Sequence, residues 1–165
     1  MSARISFGDT PATRCRFYRR VCDLPAIVDP PHLGRIVMRA TRVWAVTMPA
    51  PLGRSVRSEL AGRHGETGPI LAHPRSNRWS FLIRPDLGDD VHLFAEMFRL
   101  DVSIVRTGGT IALPSPTDLD THLRQWVEPP RCPFRPSGLV VTDAIRRAAG
   151  LPTPRTMWGS YRIVE

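Results

Sequence analysis

The chain has no lysine: all 23 of its basic residues are arginine. A guanidinium stays protonated at neutral pH and cannot supply an amine nucleophile. A lysine Schiff base, the usual pyridoxal phosphate anchor and a phosphate loop ending in GK[ST] are therefore excluded. Cysteine is scarce and odd in number, with Cys15, Cys22 and Cys132 and no CxxC spacing. Neither a disulfide framework nor a thiolate zinc site is suggested, and reduced thiols are expected. No apolar run approaches the roughly 20 residues of a membrane span, and the opening MSARISFGDT has no apolar signal-peptide centre. A cytoplasmic protein without membrane partners is the expectation. GxSxG, HExxH and a strand-borne GxGxxG are also missing, which removes the sequence support for most common enzyme classes.

What the chain does have is positive charge. A formal +8 draws a protein toward phosphate through counterion release, so nucleic acid or another polyanion is an expected partner. Arginine with abundant alanine, glycine and proline is also what a GC-rich coding sequence produces, and the alternative reading is a solvated arginine surface. At 165 residues and 42% hydrophobic, the chain is long enough for one ordinary core and too short for two.

Apolar spacing divides the chain into an N-terminal arm (1–34) carrying a basic helix, a core (35–150) and a Pro-rich tail (151–165). In the arm, Thr10 and Pro11 start a helix that stops by Pro25. It turns Phe17, Val21 and Leu24 to one side and Arg16, Arg19 and Arg20 to another. The core opens with Ile36 to Ala40 and Val43 to Met48, read as a tight antiparallel pair. A helix from about Pro51 to Gly62 follows, then Ile70 to Ala72 and Trp79 to Ile83 as a second hairpin. Asp89 is read as the N-cap of DDVHLFAEMFRL, whose narrow polar stripe predicts a largely buried helix. Thr107, Gly108 and Gly109 read as the turn of a hairpin joining Val102–Arg106 to Thr110–Leu113. A last helix begins near Ser137 and stops at Gly150 and Pro152. The expected class is α+β: a mainly antiparallel or mixed sheet of about six strands backed by helices.

Two clusters are candidate sites. HPRSNRW places His73, Arg75, Arg78 and Trp79 on one inter-strand loop, where the arginines can grip phosphate and the indole can stack a base; a solvated loop with a core tryptophan is the alternative. Asp118, Asp120 and His122 form a DxD pattern with a nearby imidazole that could hold a divalent metal. Their Pro-flanked context reads instead as a turn-forming acidic loop.

The segments GPILAHPRSNRWSFLIRP, GGTIALPSP and RQWVEPP, followed by a closing helix, resemble the N-terminal domain of bifunctional DNA primase/polymerases in a shortened form, from about Ile36 to Ala149. The whole chain, including TRCRFYRR and MFRL, also resembles small bacterial proteins named for the β subunit of DNA-directed RNA polymerase. A chain of 165 residues cannot house half of a polymerase cleft, so any such role is accessory. The primase resemblance implies two acids one residue apart on a core strand, a histidine after a small-residue loop, and a third acid. The corresponding strand, Val43 to Pro49, has no carboxylate; the loop places Arg78 and Trp79 where the histidine belongs; and a third acid is not obvious near Ile111 to Pro114. The expectation is a non-catalytic relative needing no cofactor or metal. It would bind nucleic acid through His73, Arg75, Arg78, Trp79 and the Arg16, Arg19, Arg20 cluster, or assist a replication or transcription complex. A module docking an acidic protein through the basic helix and the tail around Trp158 and Tyr161 is the alternative.

Overall fold

The computed structural model describes residues 7–118 and 123–153. Across these the chain is α+β, with four helices and two antiparallel sheets of three and five strands. The helices are α1 (Pro11–Arg20), α2 (Ala50–His64), α3 (Val91–Arg99) and α4 (Gly138–Ala148). The strands are β1 (Ala26–Val28), β2 (Ile36–Arg39), β3 (Trp44–Pro49), β4 (Ile70–His73), β5 (Arg78–Ile83), β6 (Ser103–Val105), β7 (Thr110–Leu113) and β8 (Gln125–Glu128). None of the helices is long and apolar enough to cross a membrane.

Local signals account for the helices. Thr10 caps α1 in a reciprocal box with Thr13. Gly65, left-handed, ends α2, and Ser137 accepts from the Leu139 amide to start α4. The cap of α3 is Asp90, which accepts from the amides of His92 and Leu93; Asp89, expected there, pairs instead with Arg106 at 3.0 Å. The β4–β5 hairpin forms as expected, closed by a turn with Asn77 left-handed.

Strand pairing departs from the sequence reading at two places that share one cause. β2 does not pair with β3, and β6 does not pair with β7. Instead β2 pairs with β7 in the three-stranded sheet β1-β2-β7, while β3 pairs with β6 in the five-stranded sheet β6-β3-β5-β4-β8. Between the two ladders, Ala40 bonds both glycines of the pair: the Ala40 amide donates to the Gly109 carbonyl at 2.9 Å, and the Gly108 amide donates to the Ala40 carbonyl at 3.1 Å. β2–β3 and β6–β7 are thus two long strands of one antiparallel ribbon that bends from the first sheet into the second. From Arg39↔Thr110 to Ala45↔Val105, one strand advances six residues and the other five. The offset falls where the ladders are interrupted by a tight turn over 106–109, in which the Gly109 amide donates to the Arg106 carbonyl at 2.9 Å, and the ribbon turns its corner there. Gly108 has φ +94, and a Cβ on Gly109 would lie 2.5 Å from Val105 Cγ1, so the glycine pair serves this corner.

The five-stranded sheet is buried on both faces, which explains the unbroken apolar stretch Phe81–Leu82–Ile83. Val43, Ala45, Leu71 and Leu82 face the three-stranded sheet, where they join Tyr18, Leu24, Ile36, Met38 and Leu113. Val46, Met48, Ile70, Phe81 and Ile83 face the helices, against Val56 and Leu60 of α2, Met97 of α3 and Val141 and Ile145 of α4. Residues 7–34, read as part of an arm, are continuous with this core: Cys15, Phe17, Tyr18, Cys22, Leu24 and Ala26 are buried in it, and β1 extends the first sheet. Tyr18, set among arginines in the sequence, is fully buried. α3 is the converse. Val91 and Phe98 are 75% and 82% exposed, so the helix expected to be largely buried keeps an apolar face in solvent.

Candidate functional site

Between the two sheets the packing is incomplete. The inward positions of β3 are the small Ala45 and Thr47, and their neighbours on β5 and β4 are Ser80 and His73. The result is a cavity of about 260 Å³, walled by these residues on one side and by Thr110, Ile111 and Ala112 of β7 on the other. Thr47 and Ser80 are directly opposed in the ladder, as cross-strand pairs must be to touch. Their hydroxyls lie 2.7 Å apart, and Ser80 Oγ is 2.9 Å from His73 Nε2. A hydroxyl–hydroxyl–imidazole chain therefore runs along the cavity wall. Burial, reinforced by Arg124 and then Arg78, lowers the His73 pKa below its ordinary value. The imidazole is neutral at pH 7, and its tautomer sets whether the chain offers the cavity a donor or an acceptor.

Arg78 sits at the side of this cavity, with most of its guanidinium engaged. Nη1 donates to Asp101 Oδ2 at 2.9 Å, and Nη2 donates to the carbonyls of Asp101 and Thr47 at 2.7 and 3.2 Å. It ties β5 to β3 and to the α3–β6 connection. Arg124 pairs at 3.5 Å with Asp118, which is 4% exposed and also accepts from the Ser115 amide. Asp118 is thus a buried structural acid. Asp120 and His122, its expected companions in a metal site, lie outside the described residues, and no group of three or more metal-ligating side chains occurs among the described residues.

The other expected site residues separate. Arg75 is exposed on the β4–β5 turn beside His73. Trp79, one residue from Arg78, points to the opposite face of the sheet. Its ring packs on α2 at Gly53, where an added Cβ would lie 3.0 Å from the indole, and the Arg54 guanidinium sits 6.0 Å from its centroid. A strand's two-residue period forbids Trp79 and Arg78 from sharing a ligand on one face. Arg16, Arg19 and Arg20 are exposed on α1, a different element from the β4–β5 turn; Arg19 donates to the Ala26 carbonyl at 3.3 Å. Trp158 and Tyr161 lie outside the described residues.

Thr47, Ser80 and Arg124 were not singled out from sequence. The available signal was weak: a hydroxyl on alternate positions of strands that are otherwise apolar on both faces. Set against known protein families, curated proteins and solved structures, the chain matches none of them.

Proposed function

We propose that this is a primase/polymerase-like protein without nucleotidyl-transfer chemistry, which binds nucleic acid or a similar polyanion and acts as an accessory to a replication or transcription complex. The observation that carries the reading is the inter-sheet cavity. Ala45 and Thr47, one residue apart on β3, face it from the strand where the primase resemblance calls for two acids. An alanine and a threonine there, beside neutral His73 and the edge of the Arg78 guanidinium, make a recess suited to a sugar-phosphate group and lacking the carboxylates that hold catalytic metal ions. Arg75 extends the positive edge onto the adjoining turn. With a net +8, the affinity is expected to fall steeply with salt.

The test is fluorescence anisotropy with labelled single-stranded DNA, duplex DNA and RNA at low and physiological salt. The wild type is compared with Ala112→Phe, which fills the recess without changing charge, and with Arg75→Ala. Loss of salt-dependent binding in Ala112→Phe supports the reading. Binding to none of the three probes, or undiminished binding by both variants, overturns it.

A second reading has its own observation. Arg16 and Arg20 project from α1 with no hydrogen-bond or ion-pair partner among the described residues, a surface suited to an acidic protein. One stoichiometric partner that copurifies after nuclease treatment, and is lost in Arg16→Glu/Arg20→Glu, would favour that module.

A further inference from the structure

The most exposed large apolar side chains among the described residues are Phe98 and Val91, at 82% and 75%, and both lie on α3. They lie seven positions apart, so they share one helix face, and Phe94 and Ala95, half-buried, fill the positions between. The helix already has its core contacts, through Leu93 and Met97 on the opposite side. A Val–Phe/Ala–Phe seam at i, i+3/i+4, i+7 is the spacing by which one helix meets another, and the described residues leave Val91 and Phe98 uncovered.

We infer that this face pairs with the same face of a second copy of the chain, α3 antiparallel to α3, about a two-fold axis passing between Phe94 and Ala95. Two features of the surface choose that occupant. Such an axis sets Val91 of each copy against Phe98 of the other, so that apolar meets apolar at both ends, the self-complementarity an isologous interface requires. The same axis brings opposite charges level. Asp89 and Asp90 stand at the N-terminal end of the seam, and Arg99, exposed and with no acidic partner among the described residues, stands at the C-terminal end. Antiparallel docking places Arg99 of each copy beside the aspartates of the other and opposes the two helix dipoles. Arg106 lies over the Phe94 ring at 4.4 Å and bonds Asp89, forming one rim of the seam. The mixed signs around the seam disfavour an anionic lipid surface or a polyanion on this face. A nine-residue helix covers on the order of 400 Å² per copy, about half of a standard protein interface. The dimer is accordingly weak, with a dissociation constant on the order of tens of micromolar.

Sedimentation velocity of the full chain from about 1 to 300 μM, a range chosen to bracket that estimate, tests this. The weight-average mass should climb toward twice the monomer. Phe98→Glu should weaken association at least tenfold while leaving the melting temperature unchanged, because its side chain lies in solvent in the monomer. Arg99→Asp should weaken it, and adding Asp89→Arg should recover it. A wild type that stays monomeric throughout, or a Phe98→Glu chain that dimerises as well as wild type, overturns the inference. So does a monomeric wild type destabilised by Phe98→Glu, which would mean that the chain covers this face itself.

Discussion

Replacing Tyr18 by phenylalanine removes one oxygen atom and keeps the ring, yet it should be among the costlier single substitutions in this protein. The hydroxyl donates to the Pro114 carbonyl at 2.7 Å and accepts from the Trp126 indole at 2.9 Å. It therefore joins α1 to the segment after β7 and to β8, elements more than ninety residues away, inside a side chain that is fully buried. The ring contacts, edge-to-face with Trp126 at 5.9 Å and with Phe17 at 6.3 Å, survive the change. What is lost is two hydrogen bonds, with a buried carbonyl left unpaired. Counting about 1 kcal/mol for the bond to Trp126 and 1–3 for the carbonyl left without its donor, the sum is roughly 2–4 kcal/mol. For a chain of this size that is a fall in melting temperature of about 4–16 °C, readable by circular dichroism. A second readout is independent of the melt. Burial, opposed by the Trp126 and Arg14 contacts, pushes the Tyr18 phenol up from 10.0 to about 12. Because the folded chain holds this proton more tightly than the unfolded one, its contribution to stability is whole below pH 10 and is lost as the pH rises through the folded value. Tyr18→Phe should lack that alkaline decline. A change of less than 1 °C, well under the estimate above, with an unaltered alkaline limb, would refute the docking of α1 into the core.

Four further substitutions separate structure from binding. Arg78→Ala should cost about 1 kcal/mol, discounted because Asp101 is largely exposed, and lower the melting temperature by about 2–4 °C; Arg75→Ala, on the exposed turn, should move it by less than about 1 °C. His73, whose pKa is lowered by burial and by Arg124 and Arg78, resists a proton that the unfolded chain accepts near 6.5. Urea midpoints should therefore fall as the pH drops below that value and hold above it, and His73→Gln should flatten the profile. Gly53→Val should destabilise by roughly 2 kcal/mol, since even a Cβ there meets the Trp79 ring at 3.0 Å; an unchanged melt would mean that α2 does not rest on that indole.

Much of the secondary structure is legible in the sequence because it is decided within a few residues. Thr10, Ser137, Gly65 and the His73–Arg78 turn act on neighbouring amides and carbonyls, so the four helices and the β4–β5 hairpin follow from local hydrogen bonding. Even so, the shift of the α3 cap from Asp89 to Asp90 was invisible, because either aspartate can cap and Arg106, seventeen residues away, takes the other. The class of residue at the candidate site was partly readable too: His73, Arg75 and Arg78 stand together on one turn, in sequence and in space.

The pairing of strands was beyond local reading. Ile36–Ala40 and Val43–Met48 look like a hairpin, and so do the strands flanking Gly108–Gly109, since each pair is close in sequence and apolar. In the whole chain a better solution exists, a bent ribbon whose two halves bury opposite faces of two sheets, and it is reached only when residues 36–49 meet residues 103–113. That choice created the recess: Thr47, Ser80 and His73 face a cavity because β7 stands opposite them, and Trp79 is excluded because the sheet's period turns it to α2. α1 and α3 illustrate the same limit in opposite directions. The arginines of α1 hid a fully buried tyrosine, while the apolar residues of α3 outnumber the contacts the core has to offer. Capping and turn chemistry, local and strong, were the sequence's to determine; which apolar face finds which partner depends on the fit of the folded whole, and only the tertiary structure decided it.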